Sequence, residues 1–247
     1  MKISHKFKCL FLHNPKTGGT SVREAFTELD PVTKNRVCFL HSDAKYSKAF
    51  MDYHGWDWND YFKFSIVRNP FPRMVSFYEH MRGIGIRHEE CLVRYKAAKL
   101  RIEKIGLTNE PTIRKLKELN INIIYDSAEA SKYNYASFED YIKNPIYWMH
   151  RLDVKKLDFT INQVDWLSLD GAIAMNLVMR LENIEDDWQL ALRYIRNHSG
   201  LDIPDIKIGH AKSNPVSVNW KDYYTDELKE IVTKRFKKDL EYFGYSF

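Results

Sequence analysis

The chain has 247 residues, of which 44% are hydrophobic and 14% aromatic. That is enough apolar surface to bury a core, and it excludes a disordered or low-complexity protein. A net charge of +5 at pH 7 suits an anionic ligand but is too small and too dispersed to mark a nucleic-acid binder. The cysteines, Cys9, Cys38 and Cys91, form no C-x-x-C pair, which points to thiols in a reducing compartment. No apolar leader precedes the first strand and no stretch is long and apolar enough to span a bilayer. The expectation is therefore a cytoplasmic protein without an integral membrane segment.

In chain order, the apolar run Phe7 to Leu12 predicts a strand. It leads into Pro15-Lys16-Thr17-Gly18-Gly19-Thr20-Ser21. Val22, Ala25, Phe26 and Leu29 then repeat at the spacing of one buried helix face. Strand, glycine turn and helix start together make an anion site. Glycines allow positive φ and close approach, the first helical turn offers N–H groups, and Lys16 adds a full charge. The order of residues is not that of an ATP-binding Walker A loop, which needs its Lys after the second Gly.

A second strand is expected over Arg36 to Leu40, ending at His41, with Ser42 or Asp43 capping a helix to about Tyr53. Tyr61 to Val67 predicts a third strand, closed by Arg68-Asn69-Pro70. Pro72 is placed at the start of the next helix. Alternating strands and helices point to a parallel sheet with crossover helices. The polar stretch from His88 to Leu157 looks helical in patches (Glu89 to Ile105, Thr112 to Leu119, Ser137 to Lys143) and predicts an insertion or cap. Asn176 to Leu181 returns as a strand, and acids at Glu185, Asp186 and Asp187 open a helix with Trp188, Ala191, Leu192 and Ile195 on its apolar face. Gly209 to Val218 is a polar loop. Thr225 caps one last helix with Leu228, Ile231, Val232, Phe236, Leu240 and Phe243 on its buried side.

Ligands in open α/β sheets bind beyond the carboxyl ends of strands. Arg68 should therefore share an edge with the Lys16 loop. With Ser76 in the following helix it could hold a second phosphate. Taken singly, the loop is also consistent with a solvated Lys, and the second stretch with a carbonyl-capping Arg and a small packing Ser.

Together the stretches resemble a known family. Pro15 through Ser21 resembles the 5′-phosphosulfate loop of sulfotransferases that use 3′-phosphoadenosine 5′-phosphosulfate (PAPS). Arg68 with Ser76, in Val67-Arg68-Asn69-Pro70 through Ser76-Phe77-Tyr78, resembles the 3′-phosphate site of that family. Arg180-Leu181-Glu182-Asn183-Ile184-Glu185 is similar to a block of the carbohydrate sulfotransferase branch. So are Tyr223-Tyr224-Thr225-Asp226 and Asp239 through Tyr245. The resemblance implies a P-loop-like α/β fold, a single domain over 1–247 with a helical insertion at about 88–157, and PAPS as sulfuryl donor. It also implies a hydroxyl acceptor on a saccharide.

Sulfuryl transfer between two oxygens needs its charge held while it moves, so positioning and electrostatic stabilisation dominate. Lys16 with Thr17, Gly18, Gly19, Thr20 and Ser21 would hold the phosphosulfate. Arg68 and Ser76 would hold the 3′-phosphate. Lys16 could also steady charge on the leaving bridging oxygen. No metal is required and no metal-ligand spacing occurs. His41, at the same sheet edge, is the candidate general base. His13, His54, His80 and His210 are its rivals, and Asp43 either orients His41 or caps a helix.

Lys212 and Ser213 are candidate phosphate contacts, since related enzymes close such a loop over the nucleotide. Glu182 either orients a ligand or joins Arg180 in a structural network. Tyr53, Trp56, Trp58 and Tyr61 could stack on a sugar or adenine, or could simply be core. The competing readings are a kinase-like phosphotransferase, against which the missing Walker A order speaks, and a non-catalytic nucleotide- or glycan-binding module.

Overall fold

The computed structural model describes residues 1–35, 41–86, 137–143, 161–209 and 219–247. The expected strand over Arg36 to Leu40 and the helices over Glu89 to Ile105 and Thr112 to Leu119 lie outside the described residues. So do Lys212 and Ser213. The chain divides into two compact units, one of Met1–Arg73 with Ile161–Phe247 and one of Met74–Thr160.

The first unit is built on a mixed sheet of order β1-β2-β3-β6. Its strands are β1 (Lys2–Ser4), β2 (Cys9–Leu12), β3 (Phe62–Val67) and β6 (Leu177–Arg180). β2, β3 and β6 run parallel, with Leu12 opposite Ser65 and Val67 opposite Arg180. The expected parallel sheet thus gains an antiparallel edge, because β1 pairs with β2 as a hairpin. β1 escapes a hydrophobic-pattern search for a physical reason. Its Lys2 is buried, and the ammonium donates to Thr27 Oγ1 at 2.6 Å and to the Thr33 carbonyl at 3.0 Å. Burial lowers the Lys2 pKa to about 8, with Arg23 adding to the effect and Asp30 opposing it.

Strand alternation sends Cys9, Phe11, Phe62, Phe64, Ile66 and Met179 to one face of the sheet. There they meet Val22, Ala25, Phe26 and Leu29 of α1 (Gly19–Leu29) and Trp188, Ala191, Leu192 and Ile195 of α6 (Ile184–Ser199). These are the faces read from spacing, and each fully buried large side chain contributes roughly 1.5–3 kcal/mol. The other face packs Leu10 with Ile3, Trp58, Tyr61 and Met51 of α2 (Ala44–Tyr53). A small hairpin of β4 (Ser168–Leu169) and β5 (Ala172–Ile173) brings Leu169 to the same cluster.

α3 (Pro70–Ile86) begins at Pro70 rather than at Pro72. Asn69 caps it, its Oδ1 accepting from Phe71 N at 3.1 Å, and Pro70 follows at the position where no N–H is needed. In the second unit, α4 (Phe138–Lys143) fits the helix expected at Ser137 to Lys143. There Tyr78 packs against Phe138, ring centroids 5.5 Å apart. Back in the first unit, α5 (Gln163–Trp166) is a single turn. The expected last helix is interrupted at Phe236 and forms α7 (Asp226–Arg235) and α8 (Lys237–Phe243). Among the described residues no helix is long and apolar enough to cross a membrane.

Candidate functional site

The carboxyl ends of β2, β3 and β6 lie at one edge of the sheet, and each continues into a residue singled out from sequence. After Leu12 the chain buries His13 and Asn14 and then turns through Lys16 at φ 62° and Gly18 at φ 79°. A left-handed Lys is sparsely populated backbone and must be held by its surroundings. Three guanidinium bonds do so. Arg68 Nη1 donates to the Lys16 carbonyl at 3.5 Å, Arg73 Nε to the Pro15 carbonyl at 3.1 Å, and Arg73 Nη2 to Asn14 Oδ1 at 3.1 Å.

The Thr17 hydroxyl is turned inward. It is buried and donates to the Asn14 carbonyl at 2.9 Å, so what Thr17 can offer an anion is its main-chain N–H. Gly18 caps α1 without any side-chain acceptor, and no acid stands in the first turn. α6 is the contrast, since Glu185, Asp186 and Asp187 crowd its first turn. The α1 terminus therefore keeps its positive end for an outside anion. Thr20 and Ser21 are half-buried in that turn. This chemistry fits a phosphosulfate.

Both glycines are required by their surroundings. A Cβ on Gly18 would meet Leu181 Cδ1, at a φ that side chains avoid, and a Cβ on Gly19 would run into the His13 ring. Gly19→Ala should therefore cost about 1–3 kcal/mol of stability in urea denaturation, the usual range for overpacking. It should also weaken anion binding, because relief requires the loop or the ring to move. A variant as stable as the parent would show that the ring yields freely.

His41 stands beside this loop. Its Nδ1 is 3.2 Å from the His13 carbonyl, and the two imidazole centroids are 4.4 Å apart. A carbonyl only accepts, so Nδ1 carries the hydrogen in neutral His41 and Nε2 bears the lone pair. His13 is a different kind of group. It is buried, and among the described residues its Nδ1 has no hydrogen-bond partner. Burial holds its pKa well below the usual value, and the positive fields of His41, the N-terminus, Arg23 and Lys16 push the same way. His13 is thus a neutral packing group under the loop.

His54 stacks on Trp56 at 4.8 Å, and Trp56 meets His5 in the turn before β2 at 4.3 Å. That aromatic cluster lies at the amino ends of the strands, away from the Lys16 loop, with Trp58 and Tyr61 buried. His80 is exposed in the second unit and His210 lies outside the described residues. Asp43 caps α2, accepting from Tyr46 N at 2.7 Å.

Arg68 follows β3 directly. Burial lowers its pKa, while Glu182 and Tyr245 oppose the shift, and a guanidinium remains charged at any working pH. Glu182 fixes the turn after it. Oε1 accepts from Asn69 N at 2.7 Å and Oε2 from the Tyr245 hydroxyl at 3.0 Å. Burial and Glu182 together raise the Tyr245 pKa. Arg180 donates to the Phe243 carbonyl at 2.7 Å. Ser76 is half-buried on α3, in the part of that helix that belongs to the second unit.

Sequence reasoning missed a group of buried polar side chains beneath the loop: Asn14, Arg73, Gln163 and Asp239. Arg73 sits inside the Val67 to Tyr78 stretch and Asn14 directly before Pro15, so position could have flagged them. Asp239 opens the Asp239 to Tyr245 block, but nothing there marks its side chain as buried, and Gln163 carries no local signal. Among the described residues no cluster of three or more His, Cys, Asp or Glu could hold a metal ion.

Residues 1–246 match the profile described as the Sulfotransferase family. The chain is 27% identical over 263 residues to "Carbohydrate sulfotransferase 10" of Xenopus laevis, covering 98% of this chain and 66% of that protein. It is 25% identical over 270 residues to "Carbohydrate sulfotransferase 10" of Gallus gallus, covering 98% and 65%. The chain thus spans about two thirds of the length of these curated relatives. No solved structure matches. With the family profile running from one end of the described fold to the other, the chain belongs to the sulfotransferase family.

Proposed function

We propose that this protein transfers a sulfuryl group from PAPS to a hydroxyl of a saccharide, on a P-loop-like fold. The observation that carries the proposal is the meeting of the Arg68 side chain with the backbone of the Lys16 loop. The Arg68 guanidinium reaches the Lys16 carbonyl at 3.5 Å, beside a helix start with neither a side-chain cap nor an acid. Family membership supports PAPS as donor, and the printed names of the relatives support a carbohydrate acceptor.

PAPS, when bound, supplies an activated sulfuryl group with a nucleotide phosphate as leaving group. Lys16 and the main-chain amides of Thr17 to Thr20 would hold the phosphosulfate end, and Arg68 would hold the 3′-phosphate. His41 Nε2 takes the proton of the acceptor hydroxyl as its oxygen bonds to sulfur. The Lys16 ammonium stabilises charge on the bridging oxygen as the old sulfur–oxygen bond breaks. Nδ1 of His41, donating to the His13 carbonyl, leaves the lone pair on Nε2 before the proton is taken and remains a donor to the same carbonyl in the imidazolium that forms.

Titration calorimetry tests the donor assignment. Adenosine 3′,5′-bisphosphate should bind about 10–100-fold more tightly than ATP. A charged hydrogen-bonding partner is worth roughly 1.5–3 kcal/mol, and ATP has no 3′-phosphate to offer Arg68. Tight ATP binding with no bisphosphate binding would overturn the proposal in favour of a kinase-like enzyme.

A further inference from the structure

Under the loop, four buried side chains form a chain of hydrogen bonds that all point one way. Arg73 Nη2 donates to Asn14 Oδ1 at 3.1 Å. Asn14 Nδ2 donates to Gln163 Oε1 at 3.1 Å, and Gln163 Nε2 donates to Asp239 Oδ2 at 3.1 Å. The end groups set the direction. A guanidinium can only donate, so Asn14 must present its oxygen to Arg73 and its amide nitrogen to Gln163. A carboxylate can only accept, so Gln163 must present its nitrogen to Asp239. Oriented dipoles between a cation and an anion reinforce one another.

Gln163 also clasps the Arg68 peptide from both sides. Oε1 accepts from Arg68 N at 3.0 Å and Nε2 donates to the Arg68 carbonyl at 2.8 Å. This one amide uses both of its donors and both of its acceptor positions. Reversing it would set donor against donor and acceptor against acceptor at every contact. Asp239 is anchored in turn, accepting from Val164 N at 2.9 Å while its own N–H donates to Asn162 Oδ1 at 3.2 Å.

We propose that Gln163 is a positioning residue that sets the spacing between the two anion-binding halves of the site, its amide held in one orientation by the Asp239 carboxylate on α8. On one side it fixes the Arg68 peptide. On the other it fixes Asn14, and through Arg73 the Pro15-Lys16 turn. The inference rests on Arg68 and the Lys16 loop binding the two ends of one nucleotide, as proposed above.

The test is a double-mutant cycle read by calorimetry with adenosine 3′,5′-bisphosphate, with thermal unfolding in parallel. Gln163→Glu puts an oxygen where Nε2 faces the Arg68 carbonyl and Asp239. Asp239→Asn leaves one amide hydrogen against a donor. Each single variant should bind the bisphosphate at least tenfold more weakly. In the double variant the new amide at position 239 donates to the new carboxylate at position 163, which removes that clash but leaves an oxygen facing the Arg68 carbonyl, so affinity should exceed that of Gln163→Glu alone by at least about threefold without reaching that of the parent.

A purely structural role would give losses that add, with the double variant weaker than either single one, and that result overturns the inference. Gln163→Met guards against misfolding, since it keeps the size without a buried charge. It should melt cooperatively yet bind the bisphosphate at least tenfold more weakly, and unchanged affinity in this variant also overturns the inference. Failure of the parent protein to bind would instead remove the underlying donor assignment, so the two failures are distinguishable.

Discussion

Lys16→Ala should lower turnover by about 10²–10³-fold, the usual loss when one preorganised stabiliser of developing charge is removed. The measurement is transfer from labelled PAPS to a saccharide acceptor. Lys16 has a second property that sharpens the test, namely its left-handed backbone at φ 62°. Gly tolerates that conformation where a side chain pays about 1–2 kcal/mol. Lys16→Gly should therefore be at least as stable as the parent in urea denaturation, and as inactive as Lys16→Ala. Activity surviving in the glycine variant would mean that the backbone turn, not the ammonium, matters at this position. Arg68→Ala should behave differently and act mainly on donor binding, because its guanidinium is assigned to the 3′-phosphate, remote from the bonds that change.

His41→Ala should reduce transfer by about 10²–10⁴-fold, the range for loss of a general base. The same variant should bind adenosine 3′,5′-bisphosphate within about threefold of the parent, since the ring is assigned to the acceptor side. That split between binding and chemistry separates a base from a packing residue. Loss of both together would reassign His41 to support of the loop, through its bond to the His13 carbonyl. Full retained activity would place the base elsewhere. His13 is a poor substitute, because burial and neighbouring positive groups oppose its protonation.

Elements with strong periodicity were legible from sequence. The apolar faces of α1 and α6 pack where their spacing put them, and Asp43 and Thr225 cap helices as expected. Lys16 and Arg68 were legible as neighbours because the carboxyl ends of parallel strands share an edge, whatever the details of packing. β1 was not legible, since three residues with a buried Lys show no hydrophobic pattern. The break at Phe236 was hidden by a helical spacing that runs through it undisturbed.

The burial of Gln163 and Asp239 was invisible for a deeper reason. By residue type a polar side chain reads as surface, and only its partners, far away in sequence, reveal that it is buried and satisfied. Glu182 is exposed, and there too only the partners decide the role. Its two candidate roles were equal on paper, and the bonds to Asn69 N and the Tyr245 hydroxyl show it anchoring the turn beside Arg68.

The one-way chain from Arg73 to Asp239 joins residues from both ends of the fold, and this has a consequence for how the protein comes into being. During synthesis the N-terminal strands and the Lys16 turn emerge long before α8. Until α8 docks, Gln163 has no carboxylate to orient its amide, and Arg68 has no fixed peptide plane. The site proposed for the nucleotide is thus completed late, after most of the sheet can already pair. A ligand for that site recognises only finished molecules, and by mass action it draws the folding equilibrium toward them.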